Sequence, residues 1–391
     1  MFRKFAQSVS ATASLSLILL VNGIAVQAQK ATPLPAGISA SPAPVGDAVR
    51  TNAREWTREE MLRAIPLDAK RSDSLAPQGG SLVPAPSGPR GGTAPGVGGP
   101  ASDGVPRMSA TAEPLGREAL AGTDSSGFEI TPTVSAFGYP YPFTRYPAYT
   151  ADYLNYPYRT VGKVFFRQHG VAYVCSASSV GNYGVITAGH CVHSGNNSAT
   201  GWSTNFVFVP GYRNGTAPFG QFTANHLWVM NGWKISRSFA RDVGGAILHK
   251  NTIGASTMKV SQRVGWLGTL WNASYFQHFH SVGYPQAAPF DGQSQQLCSS
   301  SFARHDTSLV PNSFGIGCDA TGGTSGGPVV VGWRSPVGFT NRVNGVNSYK
   351  YLPSQPGALY SPYFDTSIGS LIGCLINSGP GSQRCAAPAA P

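Results

Sequence analysis

The sequence stops using glutamate after Glu129, and residues 130–391 carry 16 Lys and Arg against 6 Asp. At ordinary usage a stretch of that length holds roughly a dozen or more glutamates. Charge is sparse overall, at 12% of 391 residues, with a formal net charge of +11. The basic residues of 130–391 are scattered singly, so the excess reads as solubility or surface adhesion and not as a nucleic-acid site. Cysteine is scarce: Cys175, Cys191, Cys298, Cys318, Cys374 and Cys385, with no CxxC. That argues against structural zinc and thioredoxin chemistry. His193, His226, His249, His278, His280 and His305 also lack metal-ligand spacing and read as structural. Beyond the first 28 residues no apolar run is long enough for a bilayer span.

What is present starts with an export signal. Arg3 and Lys4 precede a mostly apolar stretch from Ala13 to Val26, and Val26-Gln27-Ala28 has the form of a cleavage site. Residues 1–28 are therefore expected to be a signal peptide, and the protein secreted, extracellular or periplasmic. An even number of cysteines in an exported chain implies three disulfides. Short separations favour Cys175–Cys191, Cys298–Cys318 and Cys374–Cys385, and free buried thiols are the alternative.

Residues 29–129 form an aromatic-poor pro-region. Within it 75–107 is so rich in Pro, Gly, Ala and Ser that it reads as a linker, unable to offset its ordering entropy by burial. One island differs. Thr57 and Glu60 have capping-box spacing, Trp56, Met61, Leu62 and Ile65 are placed to line one side of a short helix, and Pro66 would stop it. It is either a pro-segment that docks on the folded domain or a transient helix in a tail.

From about residue 160 the pattern changes to short apolar or alternating runs between turn residues: KVFFRQ, VAYVCSAS, YGVITA, NFVFVPG, GAILHK, VGWLGTLW, HSVGYP, GPVVVGW and VNGVNSYKY. This spacing predicts an all-β sandwich or barrel. One helix is expected near the end, capped by Asp365 with Ile368, Leu371, Ile372 and Leu375 at helical spacing.

Three residues stand out chemically. His190, in TAGHC, follows an apolar strand and sits beside Cys191, which can be stapled to Cys175 on the preceding strand. Asp242 leads the apolar run DVGGAIL, where a partly buried carboxylate needs a donor such as a histidine N–H. Ser325 lies in DATGGTSGGP, whose glycines free backbone amides to face a substrate oxygen. A serine hydroxyl becomes a nucleophile when a histidine takes its proton and an aspartate holds the imidazole tautomer.

TAGHC, DVGGAIL and GGTSGGP, in that order, resemble the chymotrypsin-fold serine endopeptidases, most closely the secreted bacterial trypsin-like peptidases grouped with the glutamyl endopeptidases. The resemblance covers roughly residues 160–375. It implies two six-stranded antiparallel β-barrels (about 160–265 and 266–360) with the site between them, in a protease domain of residues 130–391 ending in a helix near 365–375. It makes His190 the general base, Asp242 its orienting partner and Ser325 the nucleophile, with the amides of Gly323 and Ser325 as oxyanion hole. Ser348 matches a strand position near the aspartate and the substrate backbone. Thr324 stands where animal digestive members have the aspartate that pairs with a new N-terminus, so that activation switch is absent.

Specificity stays open. Asp319 matches the pocket floor that selects Lys or Arg in trypsin-like members, while the glutamate group also carries an aspartate near there. Asn347 stands where that group usually has a histidine reader. The glutamate-free stretch suggests self-processing after Glu129, before Ile130, with Arg145 and Arg159 as rival sites. Asn196, Asn214 and Asn272 lie in N-x-S/T sequons. The expected activity is peptide-bond hydrolysis through an acyl-enzyme, without cofactor or metal. The expected partners are protein or peptide substrates, with neither nucleic acid nor membrane, and the expected state is a monomer. The alternative is a catalytically silent protease-fold binding protein or adhesin.

Overall fold

The computed structural model describes residues 34–41, 54–72, 88–98, 108–109, 142–149, 151–335 and 340–385. The expected signal peptide and the Glu129–Ile130 bond lie outside the described residues.

Two sheets carry the architecture. β1 (Val161–Gln168), β2 (Val171–Ser179), β3 (Gly184–Thr187), β4 (Thr204–Pro210), β5 (Phe222–Met230) and β6 (Gly244–Leu248) pair in the order β5-β4-β1-β2-β3-β6, and β5 pairs with β6 to close a six-stranded barrel. Alternating residues fill its two sides. Phe165, Val207 and Trp228 join one buried cluster, while Val164, Phe166 and Phe208 join another.

The second sheet contains β7 (Gly268–Trp271), β8 (His278–Gly283), β9 (Gln296–Asp306), β10 (Ser313–Gly317), β11 (Pro328–Val331), β12 (Arg342–Val346) and β14 (Ala358–Ser361). They run in the order β14-β10-β9-β8-β11-β12-β7, and β12 meets β7 in parallel. Among the described residues this hydrogen-bonded path does not close on itself. A further strand, β13 (Lys350–Tyr351), follows β12 at the cleft. The run VGWLGTLW is split: Val264 ends a short helix, and the strand starts only at Gly268.

The helix Thr366–Asn377 forms as expected, with the Asp365 carboxylate accepting from the Ile368 N–H at 3.1 Å. Leu375 seats on a strip cleared of side chains: a Cβ on Gly184 would stand 2.2 Å from its carbonyl oxygen, and one on Gly245 2.7 Å from its methyl groups.

Parts of residues 29–129, the stretch expected to be a pro-region, are docked on the fold. Ile38–Ala40 pairs with β5, Ile65–Pro66 runs parallel to β2, Lys70–Arg71 runs parallel to β13, and Gly91–Thr93 pairs with β7. The last of these corrects the reading of 75–107 as linker for residues 88–98. Its glycines lie flat on tryptophan rings: a Cβ on Gly91 would meet the Trp271 ring at 2.2 Å, and one on Gly96 the Trp266 ring at 2.2 Å. The segment's one large apolar side chain, Val97, is 60% exposed; its glycines instead cover the apolar rings of its partner.

The Thr57–Glu60 capping box forms over the helix Arg58–Arg63, and Trp56 and Met61 are buried as expected. Leu62 and Ile65 are exposed instead, at 40% and 49%. The helix stops at Arg63 and the chain turns extended to pair with β2, so Ile65 leaves the helical face.

Candidate active site

β3 is wholly buried, and at its end the chain turns into a short helix, Gly189–Val192, that presents His190. The disulfide Cys175–Cys191 ties that turn to β2 across 6.3 Å between Cα atoms. Cys298–Cys318 and Cys374–Cys385 are also formed. Asp242 ends a tight turn, Phe239–Arg241, just before β6, and its carboxylate is inaccessible to solvent. It accepts from the His190 backbone N–H (2.8 Å), His190 Nδ1 (2.8 Å) and Ser348 Oγ (2.5 Å). An ionised carboxylate only accepts, so Nδ1 carries a proton, and in the neutral imidazole Nε2 is then the nitrogen with the free lone pair. Among the described residues Nε2 has no hydrogen-bond partner.

Ser325 sits in the loop between β10 and β11. Gly323 and Gly326 take positive φ, +98° and +79°, and a Cβ on Gly326 would stand 1.9 Å from Thr187 Oγ1. The loop is braced from both sheets. Ser176 N–H donates to the Ser325 carbonyl at 2.7 Å, and Gly326 N–H donates to the Asn347 carbonyl at 2.7 Å. Asn347 is fully buried; its Nδ2 donates to Thr324 O (3.2 Å) and Oγ1 (3.1 Å), and its Oδ1 accepts from Ser281 Oγ at 2.7 Å. Among the described residues the amides of Gly323 and Ser325 have no acceptor.

His190 and Ser325 share this cleft, yet no hydrogen bond joins them. Ser325 Oγ donates instead to the carbonyl of Leu67 at 3.4 Å. Residues Leu67–Lys70 line one recess with His190, and Asp68 lines a second with Ser325 and Ser348. The Leu67 N–H donates to Val174 O (3.1 Å), the Lys350 N–H to Ala69 O (3.4 Å), and Gln286 Nε2 to Ala64 O (2.7 Å). Arg71 anchors the far end through a buried ion pair to Asp306 at 2.8 Å. The hydroxyls of Tyr349 and Tyr351 share that carboxylate. Of the two sequence readings of this strap the docked one fits the described residues; its extension from Leu67 to Arg71 past Ser325 was not foreseen, since only the helical start carries a pattern.

Asp319 does not line the recess beside Ser325. Its carboxylate is half-exposed and pairs with Arg145 Nε at 3.0 Å. Two buried lysines were also missed. Burial pushes Lys350 down to about 8, opposed by the charges of Asp319 and Asp68. Burial likewise pushes Lys163 down to about 7, opposed by Asp291. Lys163 Nζ donates to Gln286 Oε1 (2.5 Å) and Gly292 O (2.9 Å).

No family model matches the chain. A solved protease, Anisep from Arthrobacter nicotinovorans, is similar at 36% identity and TM-score 0.50, over 56% of this chain and 96% of that one. A thermostable serine protease, AL20, from an extremophilic microorganism is similar at 34% identity and TM-score 0.48, over 55% of this chain and 95% of that one. By fold and by its likeness to the first of these, the chain belongs to the chymotrypsin-fold serine proteases. A curated relative, an extracellular metalloprotease of Bacillus subtilis (strain 168), is 28% identical over 105 residues, or 26% of this chain. The chain spans about a third of that relative's length, 33%. The metal in that name finds no fitting donor set among the described residues. The two convergent groups, Cys175–His190–Cys191 and Cys298–Cys318–Asp319, have their sulfurs committed to disulfides.

Proposed function

We propose that the chain is a secreted serine endopeptidase, made with a signal peptide (1–28) and a pro-region (29–129) ahead of a two-barrel protease domain (130–391). The observation that carries this reading is the buried Asp242 carboxylate, which grips both the backbone and Nδ1 of His190 beside the braced loop of Ser325. In the reaction His190 Nε2 takes the Ser325 hydroxyl proton as Oγ attacks the peptide carbonyl. The oxyanion is met by the amides of Gly323 and Ser325, and each such donor is worth ~2.7–4 kcal/mol of barrier. His190 then passes its proton to the leaving amine, and the acyl-enzyme is cleaved by a water that the same nitrogen activates. No step needs a cofactor. Substrates are proteins or peptides, and the working unit is a monomer.

The strap explains why such a site rests in the full chain. The Leu67 carbonyl oxygen is engaged by the Ser325 hydroxyl and not by the two amides, so it is not polarised for attack. Among the described residues no helix is long and apolar enough to cross a membrane.

The test is to digest a defined peptide mixture with the chain and with Ser325→Ala and to read each cut by mass spectrometry. Cuts made only by the unmutated chain support the reading. Equal digestion by both, or none by a folded chain freed of its strap, refutes it and leaves a silent binding protein.

A further inference from the structure

Beside Ser325 the cleft holds a recess walled by Thr321, Thr324, Ser348, Tyr349, Lys350 and Leu359. Lys350 is the charged group of that wall. It is 6% exposed, and its Nζ donates to the carbonyls of Cys318 (3.0 Å) and Pro356 (2.6 Å). An ammonium has three protons; among the described residues nothing accepts the third, and no carboxylate pairs with this nitrogen. A buried cation whose hydrogen bonds all go to neutral carbonyls, with Asp319 and Asp68 acting on it by charge alone, is costly, and a carboxylate brought into contact with it recovers part of that cost.

The surrounding charges favour an anion. Asp319 is already paired with Arg145, so Arg145 and Lys350 outnumber it by one. A lysine or arginine entering the recess would bring a second cation beside Lys350. An apolar side chain would leave the ammonium as it is. The chain itself sets an acidic residue at the mouth: Asp68 lines the recess, and its Cβ lies 3.0 Å from where a Cβ on Gly322 would stand. Asp68 forms no ion pair with Lys350 and turns its carboxylate to Lys70 at 3.4 Å. A glutamate is one methylene longer.

We propose that this recess receives the acidic side chain, glutamate in preference to aspartate, of the residue before the scissile bond, and that Lys350 is the group that reads it. The proposal rests on the protease reading above. It gives Asn347 no part in recognition, because both ends of that amide already brace Thr324 and Ser281.

The experiment measures kcat/KM on one peptide series that differs only in the residue before the cut: Glu, Asp, Gln, Leu, Lys and Arg. The enzyme is the active preparation obtained from the full chain. Glu is expected to exceed its neutral isostere Gln by ~10–150-fold, the range of a charged hydrogen bond. Lys350→Met is expected to erase that ratio, and Lys350→Arg to keep most of it. Ser325-dependent cleavage that favours Lys, Arg or Leu overturns the proposal and leaves the protease reading standing. So does a folded Lys350→Met with an unchanged Glu/Gln ratio. Where that variant fails to fold, the unmutated profile decides. Absence of any Ser325-dependent cleavage is the failure of the protease reading itself.

Discussion

Asp242 lies in a solvent-free site, where its carboxylate accepts from three donors. Two consequences follow for single residues. Ser325→Ala should lower kcat by roughly 10⁶-fold with the fold intact. Asp242→Asn should cost about 10⁴-fold, because an amide at that place can donate to Nδ1 and so favour the wrong tautomer. Steady-state kinetics beside a thermal melt checks both; a loss of activity that tracked a loss of folding would mean a structural role only. Lys350 gives a pH signature. Burial lowers it from 10.5 to about 8, against the pull of Asp319 and Asp68. A lysine is charged below its pKa, so the charge that reads an acidic side chain is lost as pH rises through about 8 rather than 10.5. The Glu/Gln ratio of kcat/KM should fall across that window while the Gln rate does not. A ratio flat to pH 10, well above that window, would contradict the assignment.

At the scale of the element, the strap is fixed by one aromatic anchor and a line of backbone bonds. Trp56 is 2% exposed, packs on Phe165 with ring centroids 5.7 Å apart, and donates through Nε1 to Asn205 O at 3.0 Å. Emptying such a site costs ~3–5 kcal/mol. Trp56→Ala should therefore loosen the docked segment, raise amide exchange at Leu67 to Arg71, and shorten any lag before peptide cleavage. An unchanged lag would show that the segment does not hold the site at rest. Removing the Cys175–Cys191 bridge, which closes 16 residues, should cost ~3 kcal/mol in the chain-entropy account. A denaturant melt of the double Cys→Ser variant measures it. Elements were legible in the sequence where the pattern is local. The GVIT strand and TAGHC turn, the Asp365-capped helix, the capping box and the cysteine pairs were read from neighbours in the chain. The strand at Gly91–Thr93 was not, because its reason to order is the flat faces of Trp271 and Trp266, more than 150 residues away. The long β9 was also missed, since QLCSSSFARHD alternates too weakly and takes its burial from β8 and β10. Lys350 looked like an ordinary strand residue in NSYKY; only folding shows its ammonium buried against Cys318 and Pro356.

For the whole molecule, the missing glutamates and the recess at Lys350 bear on each other. An enzyme that cuts after glutamate does not threaten a body that contains none, and residues 130–391 contain none. Of their six aspartates, Asp242 and Asp306 are inaccessible, and Asp319 and Asp365 are held in ion pairs with Arg145 and Arg241. The rival sites for processing are structurally engaged. Arg145 lies in the strand Thr144–Pro147 paired with β9 and grips Asp319, while Arg159 donates to the carbonyls of Val264 (3.1 Å) and Val97 (2.6 Å). Cutting after either would require the chain to leave these partners first. The expected product of self-processing therefore begins at Ile130, and intact-mass and N-terminal sequencing of the secreted protein read this directly. Ser325→Ala should accumulate uncut, and Glu129→Gln should slow processing by about the same factor that separates Glu from Gln in peptides, since one recess would discriminate in both. A start at Tyr146 or Thr160 would place the maturing cut after arginine and separate maturation from the acidic recess. An Ile130 start that survives in Ser325→Ala would assign the cut to another protease.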